Sequence, residues 1–193
     1  MSDVVRAFTA ETLDWRPYIA PIDFAQASPA QRDALRETPS NTRISDYVLV
    51  LAHDPESLGR RTPLFNGIMY GRGGLPRAER ELGATAASVV NSCIYCASVH
   101  AARYIQLEKQ PAVIAQVFAG DTGGLSAREQ AVIGFAARLS ACPPAATPDD
   151  IAALHRAGLS DAEIVDLALA VAVFGWANRL MHTLGEPIPT REA

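Results

Sequence analysis

The chain has 193 residues, 49% of them hydrophobic and 20% charged, with a formal net charge of −4. That is enough apolar material for a packed core and too little charge for composition-driven disorder. The acidic balance and the lack of any Lys/Arg cluster speak against a nucleic-acid or anionic-membrane partner.

Residues 1–12 carry Asp3 and Glu11 where a secretory leader would place a basic and then an apolar stretch, so a soluble, cytoplasmic protein is expected. The longest apolar run, 167–177, follows Asp166 and is too short to span a bilayer. Three cysteines, an odd number, do not suit a secreted disulfide scaffold. In a reducing compartment a CxxC pair points instead to metal or redox chemistry.

The pattern predicts an all-α protein of eight to nine helices, about 100° of turn separating successive residues in each. No stretch alternates with period two over β-branched residues, so strands have little support. Residues 1–27, with Trp15, Pro17, Tyr18, Pro21 and Phe24, read as an ordered arm without long secondary structure. Ser28 and Pro29 open a short helix over 29–37, broken at Pro39 and Asn41. A helix over 44–52 follows. Asp54-Pro55 caps another over 55–70, which Pro63 is expected to disturb. Gly71, Gly73 and Gly74 form a loop, and Pro76 starts a helix over 76–90 that carries Glu79, Arg80 and Glu81.

Asn91 and Ser92 are capping residue types that reopen the helical pattern at Cys93, whose helix continues through His100 to residue 107. Pro111 starts a short helix over 111–118. Beyond the glycine-rich loop 120–124, Ser126 caps a helix to residue 140, and Thr147-Pro148 opens one stopped by Gly158. Ser160 and Glu163 form a capping box for a long last helix to residue 184. The chain thus divides into an arm with a short helix, 1–43, and a helical domain, 44–193. Arg80-Glu81 and Arg128-Glu129, each followed by apolar residues, give the two halves a faint echo of one another.

The run from Asn91 to His100 carries the chemistry. With Cys93 at zero on a helical wheel, Cys96 falls at about −60° and His100 at about −20°, so all three share one face. His100 follows Cys96 by one turn. Cys93 is expected in the first turn, where free N–H groups and the positive dipole end favour a thiolate. A nearby imidazole can take a thiol proton directly or through a water. Side chains three apart on a helix stand ~5–6 Å apart at Cβ, whereas a disulfide wants ~3.5–4.5 Å. A Cys93–Cys96 bond therefore deforms the first turn and is easily reduced, which suits a cycling pair. The competing readings are half of a zinc site and two merely packed cysteines. Zinc lacks a fourth ligand, because the chain has no second CxxC, so no metal or cofactor is expected.

With Glu81 twelve positions before Cys93, the segments Arg80-Glu81-Leu82 and Cys93-Ile-Tyr-Cys96-Ala-Ser-Val-His100 resemble the carboxymuconolactone decarboxylase superfamily, in its alkylhydroperoxidase-D-like (AhpD-like), peroxidase-related branch. The segments 157–165 and 174–180 resemble that branch too, and the likeness spans roughly residues 44–186. The resemblance implies an all-α fold, a homo-oligomer (trimer or hexamer) and reduction of a hydroperoxide substrate. It makes Cys96 the peroxidatic thiol, Cys93 the resolving one, and His100 supported by Glu81 the proton relay. A lipoyl- or thioredoxin-like dithiol would be the electron donor. Tyr95 stands where the best-known members carry a histidine between the cysteines. The decarboxylases of the superfamily lack the CxxC pair. A redox adaptor, a binding module and an acid–base enzyme acting on a small lactone are the rival readings.

The remaining candidates read as structural. Cys142, before Pro143-Pro144, has no sequence-local base. Asn178, Arg179 and His182 are assigned to oligomer contacts or the helix end, with a pocket wall of a neighbouring subunit as the alternative. His53 and His155 read as helix-end residues. Neither glycine-rich loop matches a phosphate-binding pattern.

Overall fold

The computed structural model describes residues 3–39 and 43–190. Among these there are nine α-helices, one of them buried at the centre, and the expected all-α class holds. The expected break at Asn41 lies outside the described residues; the helix before it, α1 (Pro29–Ala34), already ends at Ala34. Then come α2 (Asp46–Leu51), α3 (Pro55–Tyr70), α4 (Arg77–Val90), α5 (Ile94–Glu108), α6 (Pro111–Ala119), α7 (Ala127–Ser140), α8 (Pro148–Arg156) and α9 (Asp161–Leu184).

Local chemistry sets most of these boundaries. Ser28, Ser126 and Ser160 each accept from the N3 backbone N–H, and Gln31, Glu129 and Glu163 reach back to complete capping boxes. Asp54 caps α3 through the Ser57 N–H. Contrary to expectation, Pro63 does not interrupt α3. It removes one N–H from the ladder, while Leu58, Phe65 and Met69 are buried along the same helix and hold it in place.

Strands were not expected, yet Leu13–Pro17 (β1) pairs antiparallel with Gly185–Pro189 (β2) in a two-stranded ribbon. Both strands are short and contain proline, which a ribbon with two free edges tolerates. Trp15 is the anchor. It is buried edge-on against Tyr47, ring centroids 5.6 Å apart, and its indole N–H donates to the Met181 carbonyl at 3.3 Å. The arm is thereby tied to the end of α9 and to α2.

The centre of the molecule is α4, which packs most extensively on α5, α7 and α9. Its sequence explains why it can be buried nearly all round: Gly83, Ala84, Ala86 and Ala87 keep its surface thin. A Cβ on Gly83 would lie 2.8 Å from Leu167 Cδ1, so the glycine lets α9 approach closely. By length and composition α9 is the one described helix able to cross a membrane. Here Ile164, Leu167, Val171 and Phe174 are buried against the bundle, as in a core helix.

Candidate active site

The connection from α4 to α5 differs from the expected one in a way that matters. Asn91 is the C-cap of α4, its amide donating to the Ala87 carbonyl at 2.9 Å. Ser92 takes a left-handed φ of 55°, unusual for a residue with a Cβ. Cys93 is then itself the N-cap, and Ile94 the first helical residue. This places the Cys93 sulfur, rather than a serine or asparagine oxygen, beside the free N–H groups of α5. Cys93 makes no ordinary side-chain capping bond, yet the Cys96 backbone N–H favours its thiolate.

Both cysteines are free, and both are buried. They behave as one acid. The Cys96 S–H donates toward Cys93 and pushes the Cys93 pKa below the ordinary thiol value against the opposing effect of burial. The same contact, with burial, pushes Cys96 well up. When the pair gives up one proton, Cys93 is therefore the sulfur that releases it and Cys96 the one that keeps the other. It follows that Cys96→Ala removes the largest cause of the shift. The Cys93 thiolate absorbance at 240 nm should then titrate at higher pH than in the parent protein. An unmoved or lowered midpoint would refute that contact.

Glu81 and His100 complete the expected set. Glu81 on α4 is 1% exposed; its Oε2 lies 2.5 Å from His100 Nδ1 and its Oε1 accepts from Arg77 Nε at 3.3 Å. With Nδ1–H directed at the carboxylate, Nε2 is left as the proton acceptor. Phe174 fixes the imidazole from the other side, edge-on with centroids 4.3 Å apart. Among the described residues no three His, Cys, Asp or Glu side chains converge as a metal-ligand set.

Sequence reasoning missed Asn178. It belongs neither to an oligomer contact nor to the helix end. It is fully buried inside its own subunit, Nδ2 donating to Ser88 Oγ and Oδ1 accepting from Asn91 Nδ2, both at 3.1 Å. Its amide also favours the thiolate of either cysteine. A polar residue on the apolar stretch of α9 was the available signal, since a buried amide needs partners. His182 bonds the Asn91 carbonyl at 3.1 Å. His53 meets Ala20 O, and His155 at the end of α8 meets Leu159 O and Asp161. Cys142 is free and exposed, unlike the buried pair.

Tyr95, between the cysteines, and Tyr47 on α2 both border a cavity of about 320 Å³ that Arg43 and Asp46 also line. Burial pushes the Tyr95 hydroxyl up to about 12, so it stays protonated.

The carboxymuconolactone decarboxylase family model matches residues 55–138, which carry Glu81, both site cysteines and His100. The solved alkylhydroperoxidase AhpD core, a peroxidase-related protein of Ralstonia eutropha JMP134, is 31% identical, covering 70% of this chain and 72% of its own at a TM-score of 0.64. The chain belongs to the carboxymuconolactone decarboxylase superfamily, in its AhpD-like group. A peroxidase-related protein from Silicibacter sp. TM1040 shares the AhpD-like fold at 24% identity, 87% and 91% coverage and a TM-score of 0.68. So does the debrominase Bmp8, at 19% identity, 87% and 90% coverage and a TM-score of 0.73. The AhpD-like fold thus hosts more than one chemistry. No curated protein matches the sequence.

Proposed function

We propose that this AhpD-like protein is a thiol-dependent hydroperoxide reductase that cycles through a Cys93–Cys96 disulfide. One observation carries the reading: two free, buried sulfurs stand at the start of α5, and one turn on stands an imidazole aimed by a buried carboxylate. A packed structural pair needs no such relay, and the peroxidase-related relatives support the same class.

The cycle begins when His100 Nε2, directly or through a water, accepts one proton from the pair and the remaining proton sits on Cys93, leaving Cys96 as thiolate. Cys96 Sγ attacks the terminal oxygen of the hydroperoxide, the O–O bond breaks, and Cys96 becomes a sulfenic acid. The departing alkoxide takes a proton relayed from His100 and leaves as alcohol. Neutral again, His100 accepts the Cys93 proton, with Glu81 stabilising the imidazolium. Cys93 then attacks the sulfenic sulfur, and the departing oxygen takes the proton from His100 and leaves as water. Two thiols and one peroxide thus become a disulfide, an alcohol and a water. A dithiol donor of lipoyl or thioredoxin-like type returns the pair to the reduced state. No step calls for a metal or an organic cofactor. A soluble, cytoplasmic homo-oligomer belongs to the same proposal. Val165, Leu169 and Trp176, exposed within about 40° on α9, are apolar residues that such an assembly would cover.

The test is direct. One equivalent of tert-butyl hydroperoxide added to reduced protein should consume two thiols, and peptide mapping should recover Cys93 joined to Cys96 with Cys142 still free. If only the disulfide of another protein oxidises the pair, the adaptor reading replaces this one. What favours that second reading is the position of Cys93 at the N-cap of α5 with its pKa lowered, which makes it the first of the pair to ionise.

A further inference from the structure

Arg61 on α3 is only partly accounted for by the fold. Its Nε and Nη1 atoms are buried and have no hydrogen-bond partner, and neither has the nearby Tyr47 hydroxyl on α2. Arg80, the other guanidinium set into the bundle, differs. Its two terminal nitrogens reach three carbonyls and Asp166, leaving only Nε unpartnered. Arg61 instead lies among aromatic rings, 4.5 Å from the Phe65 centroid, 5.9 Å from Tyr47 and 6.0 Å from Trp176. Among the described residues no carboxylate forms an ion pair with it. Stacking on rings accommodates the flat faces of a guanidinium but leaves its N–H edge unserved. Buried donors without acceptors are costly, and a cation without a counter-charge more so. Such groups persist where something outside the fold completes them.

We propose that Arg61 and Tyr47 form the docking point for the oxygens of the hydroperoxide, holding the O–O bond against Cys96. The inference rests on the peroxidase reading above and adds to it the groups that receive the substrate. The two N–H groups and one O–H supply donors for a ligand that is rich in acceptors. Burial pushes the Tyr47 hydroxyl upward, so it remains a donor. The charge of Arg61 acts on Cys96 and favours its thiolate, which draws the negative charge of the pair toward the attacking sulfur. As the O–O bond breaks, charge grows on the departing alkoxide oxygen. Donors fixed around that position lower the barrier without reorganising. The encircling rings fit an organic peroxide with a short apolar group better than an ionic one.

The test compares Arg61→Met, Arg61→Lys and Tyr47→Phe with the parent protein, following thiol loss after rapid mixing with tert-butyl hydroperoxide. Arg61→Met should react about 100-fold more slowly and Tyr47→Phe about 10-fold more slowly, with Arg61→Lys between the parent and Arg61→Met. Tyr47→Phe removes only an unpartnered hydroxyl, so its thermal midpoint should be equal to or above the parent's. That variant keeps the test open if Arg61→Met does not fold. Alkylation of Cys93 by iodoacetamide should proceed at the parent rate in Tyr47→Phe. A folded Arg61→Met, or failing that Tyr47→Phe, that matches the parent against the peroxide overturns the docking point and leaves the peroxidase reading standing. A parent protein inert to the peroxide overturns both.

Discussion

His100→Ala is expected to slow peroxide-driven thiol loss by roughly 10²–10⁴-fold, the usual contribution of a positioned acid–base group, while leaving Cys93 as nucleophilic as before. The separation follows from the geometry. The groups that lower the Cys93 pKa are the Cys96 S–H, the Cys96 N–H and the Asn178 amide, and His100 is not among them. Alkylation of Cys93 by iodoacetamide should therefore be unchanged in His100→Ala. Peroxide reduction needs proton movement at both sulfurs and at the leaving alkoxide, and should collapse. Glu81→Gln is the finer probe. It keeps the shape of a buried side chain that touches His100 Nδ1 at 2.5 Å and Arg77 at 3.3 Å, but removes the charge that supports an imidazolium. Its amide can also turn an N–H toward Nδ1 and move the imidazole proton to Nε2, the wrong tautomer for accepting one. The two variants should lose peroxide activity to a similar extent, and the double variant little further, because both act on one relay. Equal peroxide rates in parent and His100→Ala would remove the relay from the mechanism.

The helices were legible because their signals are local. A serine three residues before Glu or Gln fixes a start, as at Ser126 and Ser160, and glycine or proline fixes an end. The cysteine pair with its histidine was legible for the same reason, since helical spacing alone puts them on one face. Glu81 was reachable only through the family pattern. It lies on a separate helix, and nothing in residues 77–90 says that this acid, rather than Glu79, turns inward. In the structure Glu79 meets Arg128 instead.

What stayed illegible depends on contacts distant in sequence. The pairing of β1 with β2 joins residues more than 160 positions apart; each strand is only five residues long, and prolines at alternate places hide any period in β2. Asn178 reaches the cysteines from α9, and Arg61 and Tyr47 approach from α3 and α2. Arg61 stands among polar residues of its helix and Tyr47 in the opening turn of its own, and their one-dimensional context does not separate them from surface groups. The role of Cys93 as N-cap was missed because Asn91 and Ser92 are better capping types. Asn91 was needed to close α4, and the left-handed Ser92 moved the start of α5 one residue on.

The second large effect is on stability, at the residue beside the relay. Arg80→Met is expected to destabilise the fold by about 3–5 kcal/mol, the range for breaking a buried, hydrogen-bonded charge. At about 2–4 °C per kcal/mol for a chain of this size, the thermal midpoint should fall by roughly 10 °C. Arg80 is 3% exposed and donates to the carbonyls of Ile68, Gly71 and Gly73 and to Asp166 Oδ2. It thus clamps the end of α3 and the glycine loop onto α9. Methionine fills the volume but satisfies none of these acceptors, and Asp166 keeps only the Leu75 N–H, at 2.9 Å. The loop cannot easily adjust. Gly74 has a φ of 65°, and a Cβ there would lie 2.0 Å from Asp166 Oδ2, so the backbone is already as close as glycine permits. The effect should be confined to folding, because Arg80 touches neither sulfur nor imidazole. At a temperature where the variant is fully folded, its rate with tert-butyl hydroperoxide should match the parent's. A midpoint within about 2 °C of the parent would show that water serves those carbonyls as well as the guanidinium does. A large loss of rate in the folded variant would mean instead that the clamp also sets the position of Glu81 one residue along the helix.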